Sequence, residues 1–119
     1  MVRRRLDIGG AFHCASRMYL PATRFGKLLR IPEKRLVDTN LKAVLANEFG
    51  APTLHSEGLA FLRSPEAADA ALMGVAPGTP GLQVHITSRS VGRVPITFQL
   101  MSVPPTEYAL KLDFHPPRA

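Results

Sequence analysis

The spacing of apolar residues separates about six extended stretches from three helical ones. Val2 to Leu6 reads as a strand leading to the Gly9-Gly10 turn. Ala11 to Leu20 is its hairpin partner, with Phe12, Cys14, Met18 and Leu20 on one face and His13, Arg17 and Tyr19 on the other. Pro21 breaks that ladder. Arg24 to Arg30 suits a short helix carrying Phe25, Leu28 and Leu29, which Pro32 stops. Arg35 to Thr39 reads as a loop. Leu41, Val44, Leu45 and Phe49 then share one face of a helix that Gly50 and Pro52 end.

Thr53 to Arg63 is extended, with Leu59 and Phe61 facing one way and Ala60 and Leu62 the other. From Ser64 the pattern turns helical. Ser64 is placed to cap the first turn, Pro65 suits the first helical position, and Ala67, Ala68, Ala70, Ala71, Leu72 and Met73 continue to a stop at Gly74. Pro77-Gly78 and Thr79-Pro80-Gly81 force a reversal. Leu82, Val84 and Ile86 then alternate with polar residues up to Ser90. The Gly92-Arg93 turn returns the chain as Pro95–Val103, which predicts antiparallel pairing with Gly81–Ser90. Tyr108 to Phe114 predicts a last strand, and residues 115–119 a frayed tail. Hairpin connections dominate, so the expected fold class is α+β: an antiparallel β-sheet with helices packed on one face.

Composition narrows the class without naming a function. The 119 residues are 45% hydrophobic and 20% charged, enough for one domain with a real core. No apolar run approaches the ~20 residues of a membrane span. The basic N-terminus lacks the apolar run of a secretory signal. Cys14 is alone, so no internal disulfide forms, which suits a cytoplasmic location. The net charge is +6, but apart from Arg3-Arg4-Arg5 the basic residues are dispersed, and no helix-turn-helix, zinc finger or RNA-binding motif appears. The charge therefore points to an anion-attracting pocket or to a plain basic surface. The four histidines have no metal-ligand spacing, and no nucleophile elbow, Walker loop or dinucleotide fingerprint is present. Neither a cofactor nor a metal is expected.

Several segments together resemble one family. Leu72-Met73-Gly74-Val75-Ala76-Pro77-Gly78-Thr79-Pro80-Gly81-Leu82-Gln83-Val84, preceded by an alanine-rich helix, is similar to the helix-end, turn and strand signature of the UTRA domain. That domain is the effector-binding half of the HutC branch of GntR-type bacterial transcription regulators. Arg3-Arg4-Arg5, a glycine turn and Arg17-Met18-Tyr19-Leu20-Pro21 resemble its "R-x-R … Y-L-P" segment. Asn40 to Gly50 resembles its "S-L-Y-x-x-L-x-x-x-Y-G" helix, and Pro95-Ile96-Thr97-Phe98 with Tyr108 its "P-I-x-Y … D-x-Y" ending. The resemblance spans nearly the whole chain, so residues 1–119 are expected to form a UTRA-like domain. The family's first strand and helix, and the winged-helix DNA-binding domain, lie outside this sequence. Two positions depart from the pattern: Pro104 stands where an arginine is frequent, and Ser16 where a glutamate is.

The resemblance implies a chorismate-lyase-like fold that binds a small anionic metabolite, a sugar phosphate or a carboxylate, and dimerises. DNA would be a partner only through the winged-helix domain, and no membrane is implied. Effector-binding residues carried over from the family are Arg3, Arg5, Ser16, Arg17, Asn40, Gln99, Ser102 and Tyr108. Of these, Arg3 and Arg5 project from one strand face, and paired guanidiniums suit a phosphate or carboxylate. Asn40 sits at a helix start, whose free N–H groups attract anions. Placing the anion between Arg3, Arg5 and Asn40 is the expected site. The alternatives are a chorismate-lyase-like enzyme on the same fold and a dimerisation module without a ligand. No convincing acid–base pair is visible, so catalytic residues are not expected.

Overall fold

A computed structural model describes residues 1–36 and 39–110. Within them the elements run β1 (Val2–Ile8), β2 (Phe12–Tyr19), α1 (Ala22–Leu29), α2 (Glu33–Leu36), α3 (Leu41–Phe49), β3 (His55–Arg63), α4 (Ala67–Met73), β4 (Gly81–Arg89) and β5 (Pro95–Val103). The strands form one five-stranded antiparallel sheet in the order β1-β2-β5-β4-β3. The α+β reading stands, and β4 pairs antiparallel with β5 as expected from the intervening turn.

The register fixes which side chains share a face. Val2, Arg4, Leu6 and Ile8 of β1 lie opposite Met18, Ser16, Cys14 and Phe12 of β2. Ser16 and Met18 are in turn opposite Met101 and Gln99 of β5, which oppose Val84 and Ile86 of β4. This first face is covered by α1, α2 and α3. Their Phe25, Leu28, Leu36, Leu41 and Leu45 join Val2, Ala51 and Ile96 in one buried cluster, and Phe25 meets Phe49 edge-on at 5.4 Å. A second cluster on the same face gathers Cys14, Val84, Met101 and Val103, with Leu110 packed against it.

The expectation that all helices pack on one face is corrected by α4, which lies across β1 and β2 on the second face. Its Asp69 reaches Arg3 and Arg17, whose side chains alternate with those of the first face. The cause is local charge. Asp69, Ala70 and Met73 form the buried stripe of α4, and the second face of β1 and β2 offers that buried carboxylate two neighbouring cations, Arg3 and Arg17.

Other differences follow the same logic of competing partners. Residues 33–36, read as part of a loop and its approach, form α2 and bury Leu36. Ser64 does not cap α4. Its hydroxyl donates to the Gly78 carbonyl (3.1 Å), which ties the helix start to the following turn. Glu66 occupies the cap position, and its carboxylate pairs with Arg3 and Arg17. Tyr108 to Leu110 are not strand; the rest of that expected strand and the expected tail, residues 111–119, lie outside the described residues, as do Val37 and Asp38. Glycine stops both longer signals as read: Gly50 (φ +60) ends α3 and Gly74 (φ +71) ends α4 in the left-handed region.

Cys14 is fully buried in the second cluster, and burial pushes its thiol up from 9.0 to about 11. Native protein at pH 8 is therefore expected to resist iodoacetamide, with rapid labelling only once urea exposes the thiol. Because the folded pKa is raised, this group's contribution to stability is complete below pH 9 and is lost as pH rises toward 11. Fast labelling of the folded chain at pH 8 contradicts this packing.

Candidate functional site

Between the two apolar clusters runs a row of polar residues on the first face. Arg4 stands between Val2 and Leu6, Ser16 between Cys14 and Met18, and Gln99 between Thr97 and Met101. Arg4 and Ser16 are cross-strand partners, and the Gln99 amide donates to the Ser16 hydroxyl at 2.8 Å. Farther along the sheet the Ser56 and Ser88 hydroxyls meet at 3.0 Å. Polar groups in a partly buried row need partners, and Gln99 with Ser16 and Ser56 with Ser88 make theirs across strands.

A cavity of about 390 Å³ opens above this row, beneath the start of α3. Met18, Ile86 and Gln99 contribute to its floor, and Leu41 and Leu45 of α3 to its apolar wall. Arg4, Asn40 and Lys42 bring the polar groups of its mouth. Among the described residues, no carboxylate lines it. The Asn40 side chain accepts from the Ala43 N–H (3.2 Å) and caps α3, which orients the first turn. That turn carries about half a positive charge from the aligned peptide dipoles.

Arg4 is the pivotal side chain. One guanidinium N–H donates to the Thr39 carbonyl at 2.9 Å, while the buried Nε has no partner among the described residues. Burial lowers its proton affinity below the ordinary arginine value, but an arginine in a protein keeps its charge. A cation held in a half-buried site with an unused donor is a site that gains from an anion.

The residues expected from sequence divide between three places. Asn40 and Gln99 line the cavity, and Ser16 supports Gln99 from behind. Arg3 and Arg5 do share a strand face, but it is the second face, so they do not meet Asn40. Arg3 pairs with Glu66 and Asp69, and Arg5 is exposed. Arg17 is also on the second face, its Nε 3.0 Å from Asp69. Ser102 is buried opposite Ala15 on that face. Tyr108 is exposed and stacks on Phe12, centroids 6.4 Å apart, away from the cavity. The arrangement expected between Arg3, Arg5 and Asn40 is thus not assembled. Arg4 takes the place beside Asn40.

Arg4, Lys42, Ser56, Ser88 and Thr97 were not among the expected residues. For Arg4 a signal existed. Val2 and Leu6 are the apolar positions of β1, so the arginine between them shares the face that helices cover. Ser56, Ser88 and Thr97 carried no such signal, because a hydroxyl in a strand fits either face. Among the described residues, no group of three His, Cys, Asp or Glu is placed to hold a metal ion. Nor is any described helix long and apolar enough to cross a membrane.

Comparison with known proteins adds the family context. The UTRA domain model matches residues 1–109. The fold is similar to the ligand-binding domain of a Bordetella bronchiseptica protein assigned to the GntR-family transcriptional regulators. The TM-score is 0.72 at 23% identity, covering 92% of this chain and 70% of that one. It is also similar to a GntR-family transcriptional regulator from Enterococcus faecalis (TM-score 0.67, 12% identity, 89% of this chain and 74% of that). The effector domain of PhnF from Mycobacterium smegmatis matches with a TM-score of 0.63 at 20% identity, over 77% of this chain and 55% of that. No curated protein matches.

Proposed function

The chain belongs to the UTRA-domain family, and from that premise we propose that it is the effector-binding domain of a transcription regulator of the HutC branch. A small anionic metabolite, a sugar phosphate or a carboxylate, enters the cavity under α3. The observation that carries this reading is Arg4, a half-buried cation whose Nε has no partner among the described residues, at the mouth of a cavity of about 390 Å³ whose other described lining groups are neutral apart from Lys42. Arg4 and the first turn of α3 receive the anion. Asn40, Gln99 and the Ser56–Ser88 pair receive hydroxyl groups of the ligand, and Met18, Ile86 and Leu45 its carbon skeleton. Ser16 holds Gln99 in place.

Ligand binding acts on DNA through a winged-helix domain joined to this one in a cytoplasmic homodimer. Since α3 and β1 both contribute to the cavity, an anion drawn between them pulls α3 toward the sheet. A ligand biases a dimer only by binding one of its arrangements more tightly than another, and this closure supplies that difference. The domain is regulatory rather than catalytic. The lining offers no carboxylate among the described residues, so no acid–base pair faces the cavity, which tells against a lyase on this fold.

A thermal-shift screen of phosphorylated sugars and small carboxylates tests the reading. A genuine ligand at about a hundred times its Kd stabilises the chain by about 2.7 kcal/mol. A complete set of anionic metabolites that leaves the melting curve unmoved, while neutral compounds shift it, overturns the anion assignment.

A further inference from the structure

Gly26 stands in the interior of α1, where glycine is the poorest helix former after proline. The usual reasons for a glycine do not apply to it. Its φ lies outside the left-handed region, and the irregular backbone of α1 falls on Phe25 before it. A Cβ added at Gly26 meets no backbone of another element, and no side chain beyond its chain neighbours, within 4 Å. Close packing therefore does not demand the glycine either. What it leaves open is a groove of about 710 Å³ between α1 and the end of α3. That volume falls in the range of about 300–1,000 Å³ that ligand pockets occupy.

The groove is cationic. Arg24, Lys27 and Arg30 line it, each exposed and three residues from the next, over about 9 Å of helix axis. Among the described residues Glu48 is the one carboxylate of the lining, and no ion pair joins it to any of the three. Arginine and lysine side chains only donate hydrogen bonds, so three of them around one space suit an acceptor with several charges. Ile31 and Phe49 supply an apolar wall. The groove is separate from the cavity already described. Leu41, Lys42 and Leu45 border that cavity at the start of α3, whereas Glu48 and Phe49 border the groove at its other end.

We propose that this groove is a second anion site, which takes a chain of consecutive phosphates, carried by a nucleotide or free. It goes beyond the effector reading and does not depend on it. Consecutive phosphates hold their charges at a short, fixed spacing, so cations on successive turns of one helix meet them with little ordering of the ligand. Arg24 and Arg30 offer planar forks and Lys27 a point charge between them. Gly26 lets the chain lie close to the helix backbone, because no side chain fills that place. When a nucleotide carries the phosphates, Ile31 and Phe49 receive its base.

Calorimetric titration of the chain tests this, with inorganic phosphate, inorganic triphosphate, adenosine triphosphate and hexaglutamate in magnesium-free buffer. Inorganic triphosphate is expected to bind at least about tenfold more tightly than phosphate. Adenosine triphosphate binding more tightly again, with the advantage lost in Ile31→Ser, identifies the nucleotide as the source. Equal affinity for the two triphosphates identifies the bare chain. Lys27→Glu is expected to weaken triphosphate binding by at least about tenfold. Arg5→Glu makes the same change of net charge at an exposed site on the second face, and is expected to leave affinity within about twofold. Gly26→Leu fills the groove. Its affinity is expected to fall by about tenfold or more while its melting temperature is no lower than that of the unaltered chain, which separates a blocked site from a damaged helix. Triphosphate no tighter than phosphate, or hexaglutamate as tight as triphosphate, overturns the phosphate chain as ligand. Affinity that survives both Lys27→Glu and Gly26→Leu overturns the groove as its site. So does affinity that falls with Arg4→Ala but not with Lys27→Glu, which places the anion in the cavity under α3.

Discussion

Asp69→Ala is expected to destabilise the chain by about 3–5 kcal/mol, the cost of breaking a buried ion pair from one side. The Asp69 side chain is 1% exposed and receives Arg17 Nε at 3.0 Å, with Arg3 Nε at 3.4 Å. Removing the carboxylate leaves two guanidiniums facing each other under α4 with, among the described residues, only Glu66, half exposed, to offset them. The loss is large against the 5–15 kcal/mol that holds a typical domain. Urea unfolding checks it: the midpoint falls while the slope is unchanged. The double change Asp69→Leu, Arg17→Met is expected to recover much of the loss, since an apolar pair of similar size removes the uncompensated charge. A midpoint for Asp69→Ala close to that of the unaltered chain shows that α4 does not depend on this carboxylate.

Arg4→Ala is expected to reduce affinity for an anionic effector about thirtyfold or more, from the loss of a charge-assisted contact worth about 2 kcal/mol. Arg3→Ala and Arg5→Ala are the controls. Arg5 is exposed and faces away, so its loss leaves affinity within about twofold, as expected of a distant site. Arg3→Ala affects stability through Asp69 more than binding. Calorimetric titration of a ligand found in the screen separates these outcomes. Affinity that falls with Arg5→Ala and survives Arg4→Ala places the anion on the second face instead. Arg4→Lys keeps the charge but loses the planar fork, so an intermediate affinity is expected.

The three consecutive arginines show how far sequence reasoning reaches. Their alternation alone established that Arg3 and Arg5 point one way and Arg4 the other. Which of the two directions leads into a cavity depended on where the helices pack, and helix placement is not a local property. Val2 and Leu6 marked the covered face, yet the second face is covered too, by α4, over the same two strands. The choice between the faces was settled by Asp69, some fifty residues away in sequence from Arg17, with which it forms a salt bridge. Ser64 followed the same rule in miniature. Its capping role was sound chemistry, but the Gly78 carbonyl, brought close by the turn, took the hydroxyl.

By itself the sequence determined what is set within a few residues. The strand alternation, the glycine stops at Gly50 and Gly74, the Asn40 cap, the hairpin turns and hence the antiparallel α+β class all follow from short-range sterics and hydrogen bonding. The joined segments from Arg3 to Tyr108 also carried the family. The tertiary structure alone decided how β2 and β5 pair at the centre of the sheet, on which face each helix lies, and that Arg4 rather than Arg3 and Arg5 meets Asn40. The physical reason is that these outcomes rest on contacts between distant residues, where buried charge and apolar surface compete for the same partners. A strand's own pattern records that its two faces differ, but not what will cover either one.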